Sequence, residues 1–344
     1  MPVRVGINGF GRIGRLFARV IFTYKLEDKL ELVAVNDVAD NVTLAHLFEY
    51  DSTYGRFQGK IELVEDDFLI NGHRVVTFEE PDPSRLRWGE LGVDIVLESS
   101  GKFRRRADAE KHLSSGAKRV VISAPGKDDD IPTFVFGVNH TLYDPNKHFI
   151  VSNASCTTNC LAPVLKVLND NFRVKRGFMT TVHSLTNDQP TLDQPHKDLR
   201  RARAAEISII PTTTGAATAI SKVIPELGRR VGGLALRVPT STVSVLDLVC
   251  EVERTTDRDA VNQAFRHASE NELKGILRVN DKLLVSIDYK GESASAVVDA
   301  VYTEVAEGNL VKVIAWYDNE WGYSLRCADL MLYMGEKEAL PKDS

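Results

Sequence analysis

The sequence predicts an α/β protein with two domains, the first of which contains a doubly wound parallel sheet. Its 344 residues are about twice the usual length of one domain and leave room for two hydrophobic cores. Strand-like and helix-like segments alternate from the start of the chain, which is typical of parallel strands joined by crossover helices. Hydrophobic residues make up 43% of the chain and charged residues 26%, the balance of an ordinary globular protein.

Composition and cysteine usage argue against several classes of protein. No apolar run approaches the roughly 18 residues that a transmembrane helix needs. The chain begins MPVRVGINGFG, without the regions of a signal peptide, so we expect a cytoplasmic location. A net charge of −5 provides no global basic field for nucleic acid. Four cysteines in so long a chain make no disulfide framework, and we expect Cys250 and Cys327 to be buried thiols.

The first segment of the chain has the pattern of a strand, a glycine turn and a helix. A short apolar run precedes GFGRIG, and apolar residues then recur at helical spacing. Gly9 permits a tight turn, Gly11 lets the backbone approach a pyrophosphate, and Gly14 allows the helix to pack closely on the strand. The N-terminus of the helix offers free N–H groups to phosphates. The pattern therefore predicts a Rossmann-type dinucleotide-binding unit.

An acidic residue after the second strand extends this fingerprint. The apolar run LVAV ends in Asn36 and Asp37, and Asp37 follows Gly14 at about the spacing that the fingerprint requires. A carboxylate there accepts hydrogen bonds from a ribose 2′-OH and repels a 2′-phosphate. We therefore expect NAD rather than NADP as the cofactor. A βαβ unit that binds no nucleotide is the alternative interpretation.

Further strands follow in the first half of the chain. The segments VDIVLESSG, KRVVISAP and FIVSNAS have the pattern of parallel strands, and a helix-like segment separates the first two. Asn71 and Gly72 stand between strand-forming residues, which predicts a tight hairpin added to the sheet.

The segment SNASCTTNC contains two cysteines, Cys156 and Cys160. They lack a second close pair of Cys or His, so a zinc site is a weak alternative. Ser155 and Thr157 suit the first turn of a helix that continues through LAPVLKVL. A thiol at a helix N-terminus has a lowered pKa, so Cys156 is the candidate nucleophile. Cys160 lies one turn deeper, and we expect it to be a buried thiol.

A thiol nucleophile usually needs a base, and His183 is the candidate. It stands near the end of the strand-like segment GFMTTVHSLT, just before a polar loop. Strand ends beside loops commonly present catalytic residues. One histidine among eight is otherwise better explained as an ordinary core or surface residue.

Five blocks of sequence carry a specific resemblance to a known family. SNASCTTNCLAP, PHKDLRRARAA, IIPTTTGAA, LRVPT and WYDNEWGYS together resemble phosphorylating glyceraldehyde-3-phosphate dehydrogenase, and the likeness covers nearly the whole chain. It implies a Rossmann-type doubly wound dinucleotide-binding domain plus an α+β catalytic domain with a mixed or antiparallel sheet. The implied boundaries are 1–154, with a C-terminal helix over 320–344, for the first domain and 155–319 for the second.

The resemblance implies an enzyme of glycolysis and gluconeogenesis that forms a thioester. Cys156 would attack the aldehyde of glyceraldehyde 3-phosphate to give a hemithioacetal, and His183 would accept a proton as the substrate is oxidised by NAD. Inorganic phosphate would then capture the acyl group as 1,3-bisphosphoglycerate. As an imidazolium, His183 would also favour the thiolate. A cytoplasmic homotetramer is implied, with no metal and with neither a specific nucleic acid nor a membrane as partner.

Two phosphate sites are implied as well, because the substrate carries one phosphate and the reaction consumes another. Those implied at the substrate-phosphate site are Thr186, Asp188 and Arg237. Those implied at the inorganic-phosphate site are Ser155, Thr157, Thr214 and Gly215, with Arg201 nearby. Hydroxyls, backbone N–H groups and arginine bind phosphate well. GAATAISKVIPEL, which begins at Gly215, has a helical pattern whose N-terminus suits an anion.

The cofactor contacts of the family correspond to residues spread along the chain. They are Arg12 and Ile13 at the pyrophosphate turn, Asp37 at the adenosine ribose, Ser123, and Asn319 at the nicotinamide amide. Pro81 stands where the family usually has an arginine near adenine, so a contact there comes from its backbone. Ser100 and Arg104 stand where threonines are common in the family, so the sequence departs from the family pattern beside the cofactor.

Two alternatives stay open at this point. The first is erythrose-4-phosphate dehydrogenase, a relative whose thioester goes to water, although PHKDLRRARAA and IIPTTTG resemble the triose enzyme more. The second is a non-catalytic interaction or RNA-binding protein. The acidic net charge and the Cys156–His183 pair argue against that role.

Overall fold

The computed structural model of the protein describes residues 1–339, and the chain divides into two compact units. The first unit comprises Met1–Phe134, His140–Ala154 and the chain from Ser324 onward. The second comprises Val135–Asn139 and Ser155–Tyr323. Residues 340–344, the end of the C-terminal helix expected from the sequence, lie outside the described residues.

The first unit alternates strands and helices along the chain. Its strands are β1 (Val3–Asn8), β2 (Leu30–Asn36), β3 (Tyr50–Asp51), β4 (Gly55–Arg56), β5 (Ile61–Val64), β6 (Asp67–Ile70), β7 (His73–Phe78), β8 (Ile95–Glu98), β9 (Arg119–Ile122) and β10 (Ile150–Ser152). Its helices are α1 (Arg12–Thr23), α2 (Asn41–Glu49) and α3 (Arg106–Ser114).

The main sheet of this unit has the order β10-β9-β8-β1-β2-β7-β6-β5. The six strands from β10 to β7 are parallel, which confirms the predicted doubly wound sheet. The strand order reverses between β1 and β8, and ligands of such sheets bind at the carboxyl ends of the strands where this reversal occurs. Asn8, Asn36 and Glu98 end β1, β2 and β8 at that edge.

The predicted hairpin is present between β6 and β7. Ile70 pairs with His73, so Asn71 and Gly72 form a two-residue turn. Their φ values of 48° and 86° are those of the turn that the Asn-Gly sequence favours. β7 also pairs in parallel with β2, and the hairpin thereby extends the sheet.

Apolar side chains on both faces of this sheet form its core. On α1, Leu16, Phe17, Val20 and Ile21 are fully buried, as the helical spacing predicted. Trp88 lies in a second buried cluster against strand residues of β2 and β8. Burying one large apolar side chain contributes about 1.5–3 kcal/mol, so these clusters hold the strand ends in register.

The second unit contains a mixed sheet, also of eight strands. Its strands are β11 (Val174–His183), β12 (Ile210–Thr212), β13 (Val231–Arg237), β14 (Ser244–Val252), β15 (Leu277–Asn280), β16 (Ala296–Asp299), β17 (Glu304–Ala306) and β18 (Leu310–Tyr317). Its helices are α4 (Cys156–Phe172), α5 (Ala216–Val223) and α6 (Arg258–Glu270), while α7 (Trp321–Ala339) begins here and continues into the first unit.

The order of this sheet is β12-β13-β11-β14-β18-β16-β15, with β17 paired to β18. β11 and β13 are parallel, as are β15 and β16, and the other pairs are antiparallel. This mixed sheet confirms the α+β class. Buried and partly buried residues alternate along β14, which packs against α4. His183 and Arg237, the last residues of β11 and β13, are register partners and therefore lie side by side.

Among residues 1–339, every helix is too short or too polar to cross a bilayer.

Candidate active site

The candidate nucleophile begins helix α4. Ser155 caps this helix, because its Oγ accepts a hydrogen bond of 3.1 Å from the backbone N–H of Thr158. Cys156 is the first helical residue, as predicted, and part of its surface is accessible. Cys160 is fully buried one turn later. Of the two thiols, only Cys156 is placed to meet a substrate.

Cys156 and His183 form a pair. The Sγ of Cys156 lies 3.4 Å from Nε2 of His183, which is a hydrogen-bonding distance for sulfur. The imidazole belongs to the last residue of β11 and is 3% exposed, so the sheet holds it in place. This distance brings the predicted nucleophile and base together.

The protonation of the thiol differs from the expectation. Burial raises the pKa of Cys156 above its usual value, and the positive charge of Arg237 opposes that shift only in part. The expectation that the helix N-terminus lowers this pKa is therefore wrong for the ligand-free protein. The protein around the sulfur removes its hydration, and this loss outweighs the charge of Arg237 and the hydrogen bonds from Thr157 that favour the thiolate. Cys156 is a thiol in the resting state.

The protonation of His183 also differs from the expectation. Burial and, to a smaller extent, the nearby charge of Arg237 together lower the pKa of His183 to about 3. The expected imidazolium is therefore wrong for this state, and the ring is neutral at physiological pH. A neutral imidazole beside a thiol is suited to accept its proton.

The second nitrogen of His183 has two polar neighbours. Nδ1 lies 2.8 Å from the carbonyl oxygen of Ser184 and 2.5 Å from Nη1 of Arg237. The same Nη1 also donates to the Ser184 carbonyl at 3.3 Å. The buried Nε of Arg237 has no hydrogen-bond partner among residues 1–339. The guanidinium thus contacts the imidazole directly and retains a donor for an anion.

Sequence reasoning missed Tyr317 at this site. Its buried hydroxyl lies 2.9 Å from Thr157 Oγ1 and 2.7 Å from Thr181 Oγ1, and its ring meets the His183 ring edge-on at 6.1 Å. The hydroxyl thereby joins the first turn of α4 to β11, which carry the nucleophile and the base. The only signal was its place in the block WYDNEWGYS, where it resembles any core aromatic residue.

The loop after β11 brings together residues from both implied phosphate sites. Arg201 forms an ion pair with Asp188, and its Nε donates to Thr212 Oγ1 at 2.9 Å. Thr186 is held near Asp188 through Gln189, whose Oε1 accepts from Thr186 Oγ1 at 3.0 Å. Oδ1 of Asp188 also lies 3.3 Å from Nε2 of His196. Arg201 and Asp188 are therefore partners in the ligand-free protein.

The start of α5 is open to an anion. Gly215 caps this helix, and Thr214 Oγ1 accepts a hydrogen bond of 3.2 Å from the N–H of Ala216. A Cβ atom added to Gly215 would meet nothing within 4 Å. The backbone at Gly215 is therefore unobstructed on that side, and a helix N-terminus favours an anion.

Asn319 is held in one orientation by two serines. Its Oδ1 accepts from Ser184 Oγ and Ser244 Oγ, each at 2.9 Å. The side chain is 5% exposed. The polar group of Asn319 that remains for a ligand is therefore the donor Nδ2.

The glycine turn of the first unit has the shape of a phosphate cradle. Gly9 has a φ of +93°, and a Cβ atom there would overlap the backbone of Ser100. A Cβ on Gly14 would overlap the carbonyl oxygen of Gly9, whereas one on Gly11 would meet nothing within 4 Å. The first and third glycines are required for packing, and the second leaves space for a ligand. These residues fit a dinucleotide pyrophosphate.

Asp37 lies against this turn. Its Oδ2 accepts from the backbone N–H of Phe10 at 2.7 Å, and its Oδ1 from that of Ala39 at 3.1 Å. The side chain of Arg12 forms an ion pair with Asp51, in which Nη1 lies 2.5 Å from Oδ2. Arg12 and Ile13 therefore face the turn with the backbone N–H groups that begin α1.

A buried network that sequence reasoning missed supports the same sheet edge. Glu98 accepts from Asn8 Nδ2 at 2.6 Å and from the backbone N–H of Ser100 at 2.9 Å. The Glu98 carboxylate also lies 3.0 Å from Nε2 of His112, and Trp88 donates to Nδ1 of that histidine at 3.1 Å. Nothing in the pattern of β8 distinguished Glu98 from an ordinary residue at a strand end.

Ser123 and Pro81 lie at the same edge. Ser123 follows β9, and its Oγ donates to the Glu98 carbonyl at 3.1 Å. Pro81 follows β7 and is exposed. Neither side chain makes a contact that assigns it a role by itself.

The four cysteines are free thiols, and Cys250 and Cys327 are buried as expected. Within the described part of the chain, no group of three or more His, Cys, Asp or Glu side chains is arranged to hold a metal ion.

Comparison with known proteins gives consistent matches to one family. Residues 3–106 match the glyceraldehyde 3-phosphate dehydrogenase NAD-binding domain, and residues 155–319 match the C-terminal domain of the same family. The chain is 55% identical to glyceraldehyde-3-phosphate dehydrogenase of Geobacillus stearothermophilus, over 98% of this chain and 99% of the relative. It is 53% identical to glyceraldehyde-3-phosphate dehydrogenase 1 of Bacillus cereus, over 97% and 99%. It is 52% identical to the Streptomyces coelicolor enzyme of the same name, over 98% and 100%.

Proposed function

The chain belongs to the glyceraldehyde-3-phosphate dehydrogenase family, and we propose that Cys156 and His183 perform its chemistry as nucleophile and base. As a member of this family, the protein is an NAD-dependent oxidoreductase that acts on glyceraldehyde 3-phosphate. The observation that carries the residue assignment is the 3.4 Å distance between Cys156 Sγ and His183 Nε2.

The first step forms a bond between Sγ and the aldehyde carbon. Cys156 starts as a thiol, so a base must remove its proton as the sulfur attacks. Nε2 of neutral His183 accepts this proton and passes it to the oxygen of the former aldehyde. The product is a hemithioacetal on Cys156.

The second step oxidises the hemithioacetal to a thioester. NAD, when bound, supplies the acceptor for the hydride that leaves the carbon. Nε2 of His183 takes the hydroxyl proton, so the ring becomes an imidazolium as the thioester forms.

In the third step inorganic phosphate attacks the acyl carbon, and the sulfur leaves and regains a proton from His183. The acyl phosphate is 1,3-bisphosphoglycerate.

In this proposal the two phosphate groups bind to different sets of residues. Arg237, Thr186 and Asp188 border the substrate phosphate, and the unpartnered Nε of Arg237 supports this assignment. The inorganic phosphate binds at the N-termini of α4 and α5, through Ser155, Thr157, Thr214 and Gly215, with Arg201 nearby. Arg201 is released from Asp188 when the anions arrive.

In the first unit, the glycine turn and the first N–H groups of α1 hold the pyrophosphate of NAD. Asp37 accepts hydrogen bonds from the adenosine ribose and repels a 2′-phosphate. Asn319 donates its Nδ2–H groups to the nicotinamide amide. Pro81 and Ser123 border the cofactor mainly through backbone atoms.

Neither alternative function is favoured. The relatives named above bear the name of the triose enzyme rather than of erythrose-4-phosphate dehydrogenase. A purely RNA-binding role leaves the 3.4 Å pair of Cys156 and His183 without a purpose.

An initial-rate assay tests this proposal. We expect NADH formation from glyceraldehyde 3-phosphate to require added phosphate, and NADP to be a much poorer cofactor than NAD. Undiminished turnover without phosphate, or a preference for erythrose 4-phosphate, would contradict it. The Asp37→Gly variant should accept NADP better than wild type, whereas Asp66→Gly, on the exposed turn between β5 and β6, should not.

We further propose a cytoplasmic homotetramer. Phe178 on β11 is 77% exposed and Leu234 on β13 is 44% exposed, on the face of the sheet away from α4. Exposed apolar side chains of this kind favour burial against another copy. Sedimentation velocity should give a tetramer for wild type and smaller species for Phe178→Glu, and a monomeric wild type would contradict the proposal.

A further inference from the structure

Asn36, the last residue of β2, is attached to three parts of the edge where we place the cofactor. Its backbone carbonyl accepts from the N–H of Gly9, in the glycine turn, at 2.8 Å. Asp37, the proposed partner of the adenosine ribose, follows it in the chain. Its side chain is 3% exposed and reaches Glu80, two residues beyond the end of β7.

The contact with Glu80 extends the pairing of β2 with β7 by means of a side chain. A backbone hydrogen bond of 3.1 Å, from the N–H of Asp37 to the carbonyl of Phe78, joins the ends of the two strands. Beyond it, Asn36 Oδ1 accepts from the N–H of Glu80, and Asn36 Nδ2 donates to the Glu80 carbonyl, each at 2.9 Å. A carboxamide has the donor and acceptor of a peptide group, so it binds Glu80 as a neighbouring strand would.

The orientation of the Asn36 carboxamide is set from β8, across β1. Asn36 Nδ2 also donates to Asn8 Oδ1 at 2.7 Å, and Asn8 Nδ2 donates to Glu98 Oε2 at 2.6 Å. The other oxygen of Glu98 accepts from the N–H of Ser100 at 2.9 Å. A carboxylate offers acceptors alone, so Glu98 fixes which end of the Asn8 amide it meets, and Asn8 fixes Asn36 in turn.

We propose that Asn36 positions the segment that binds the adenine of the cofactor, and that Glu98 sets the orientation of Asn36 through Asn8. This inference rests on the proposed NAD site. In that site the pyrophosphate lies at the turn after β1 and the ribose at the end of β2. The next strand in the sheet is β7, so the adenine lies beside the residues that follow it, Glu80 and Pro81.

The sequence after β7 suits this form of support. Pro81 has no backbone N–H, so it cannot donate a further hydrogen bond to a neighbouring strand. The residue before a proline is confined to extended conformations, as pairing of Glu80 with Asn36 requires. A segment that is already fixed in its binding conformation loses less entropy when its ligand binds. Asn36 therefore contributes to affinity through Glu80 and Pro81.

The same hydrogen bonds make a specific demand on Glu98. A glutamine there has the same shape but presents an NH2 group on one side. Facing Asn8, that group meets the donor Nδ2, and facing Ser100 it meets a backbone N–H. Turning the Asn8 and Asn36 amides to relieve the first conflict places Asn36 Nδ2 against the N–H of Glu80. Loss of the charge at the end of β8 therefore loosens the segment beyond β7.

Calorimetric titration with AMP tests the proposal, because AMP has the adenine and its ribose but no nicotinamide. Asn36→Leu keeps the size of the side chain and removes its hydrogen bonds, and it should weaken AMP binding about tenfold. Glu98→Gln should weaken it about threefold.

Steady-state NADH formation from glyceraldehyde 3-phosphate separates positioning from a general loss of structure. Both variants should raise the KM for NAD by about the factors found with AMP and change kcat at saturating NAD by less than about twofold. A kcat that falls with no change in the KM for NAD would contradict the positioning role.

Asn169→Leu is the matched control. Asn169 is 5% exposed and lies in the second unit, where its Oδ1 accepts from the backbone N–H of Val174 at 3.3 Å. Its replacement should cost stability, as Asn36→Leu does, and leave the affinity for AMP unchanged. Equal weakening of AMP binding in the two variants would overturn the proposal.

Hydrogen exchange at the Glu80 N–H, resolved by fragmentation mass spectrometry, tests the contact without any cofactor. In the ligand-free protein this N–H should exchange at least about tenfold faster in Asn36→Leu and in Glu98→Gln than in wild type. Equal rates in wild type and Asn36→Leu would show that Asn36 does not hold the segment. A wild-type rate in Glu98→Gln would refute the role of Glu98.

The two measurements distinguish a failure of this inference from a failure of the proposed NAD site. If wild type does not bind AMP, the cofactor site is wrong and the adenine assignment falls with it. If wild type binds AMP and Asn36→Leu binds it equally well, the NAD site stands and the positioning role is refuted.

Discussion

Each unit of the protein buries a histidine whose ring nitrogens both meet polar groups, and the two sites differ in whether these contacts agree. In the first unit, Trp88 donates to Nδ1 of His112, and Nε2 lies 3.0 Å from the Glu98 carboxylate. One tautomer satisfies both contacts. In the second unit, Nδ1 of His183 lies between an acceptor and a donor, and Nε2 faces a thiol.

The difference distinguishes a histidine that supports the fold from one that can take part in catalysis. A fully satisfied buried network rigidifies its surroundings, which suits the sheet edge that holds a cofactor. A histidine with competing partners can change its proton position at small energetic cost, which suits a base. Local rules are satisfied in the first unit and conflict in the second, where a catalytic step is expected.

Replacing each histidine in turn should give the largest difference in activity between the two sites. We expect His183→Asn to lower kcat by about 10²–10⁴, because a positioned general base is lost. His112→Asn should change kcat by only a few fold, since its ring lies in the core of the first unit. Steady-state NADH formation measures both variants, and NAD binding checks that each has folded. Equal losses of kcat would contradict the distinction.

Removing the carboxylate of the first network should mainly affect stability. In Glu98→Ala the groups of Asn8, Ser100 and His112 lose their shared acceptor, which we expect to cost about 3 kcal/mol in the free energy of unfolding. NAD binding should also weaken, because Ser100 borders the glycine turn.

Urea denaturation measures this loss. Glu110→Ala, at an exposed position of α3, is the matched control and should stay within about 0.5 kcal/mol of wild type. A Glu98 variant as stable as this control would show that the network is dispensable.

The pH dependence of stability should reveal the buried base. The pKa of His183 is about 3 in the folded protein, below the unfolded value of about 6.5. Below pH 6.5 the unfolded chain gains a proton that the folded ring does not, so this histidine destabilises the fold as pH falls. Between pH 7 and pH 5 the wild type should lose about 2 kcal/mol more than His183→Asn.

Urea denaturation at both pH values tests this expectation. His267→Asn, at an exposed position of α6, is the control for replacing a histidine. Parallel losses in wild type and His183→Asn would indicate that the ring is protonated in the fold.

The smallest effect is expected at Tyr317. In Tyr317→Phe the bridge between Thr157 and Thr181 is lost, which we expect to cost about 1 kcal/mol and to slow kcat about fivefold. Tyr289→Phe also removes a hydroxyl that is hydrogen-bonded within the second unit, to Asn280, and should leave kcat unchanged. Similar kinetics for the two variants would exclude a positioning role for Tyr317.

Much of the fold could be predicted because its signals are local. The spacing of Gly9, Gly11 and Gly14, the strand before them and Asp37 after them specify a unit whose parts lie close in sequence. The Asn71-Gly72 turn and the helix start at Cys156 depend on neighbouring residues in the same way.

The charge states and long-range contacts could not be predicted in this way. The pKa of Cys156 is raised by burial, which depends on the whole folded unit and which the pattern at the helix start does not reveal. Tyr317 reaches Thr181 across 136 positions, and Glu98 meets Asn8 across 90. Such pairs leave no periodic signal in a single sequence.

Direct detection of the acyl enzyme tests the central claim, that Cys156 carries the oxidised carbon. The protein is mixed with NAD and glyceraldehyde 3-phosphate in phosphate-free buffer, quenched in acid, digested and analysed by fragmentation mass spectrometry. We expect a 3-phosphoglyceroyl thioester on Cys156, which disappears when phosphate is added before the quench. An adduct on Cys160, or NADH formation with no acyl group on Cys156, would contradict the account.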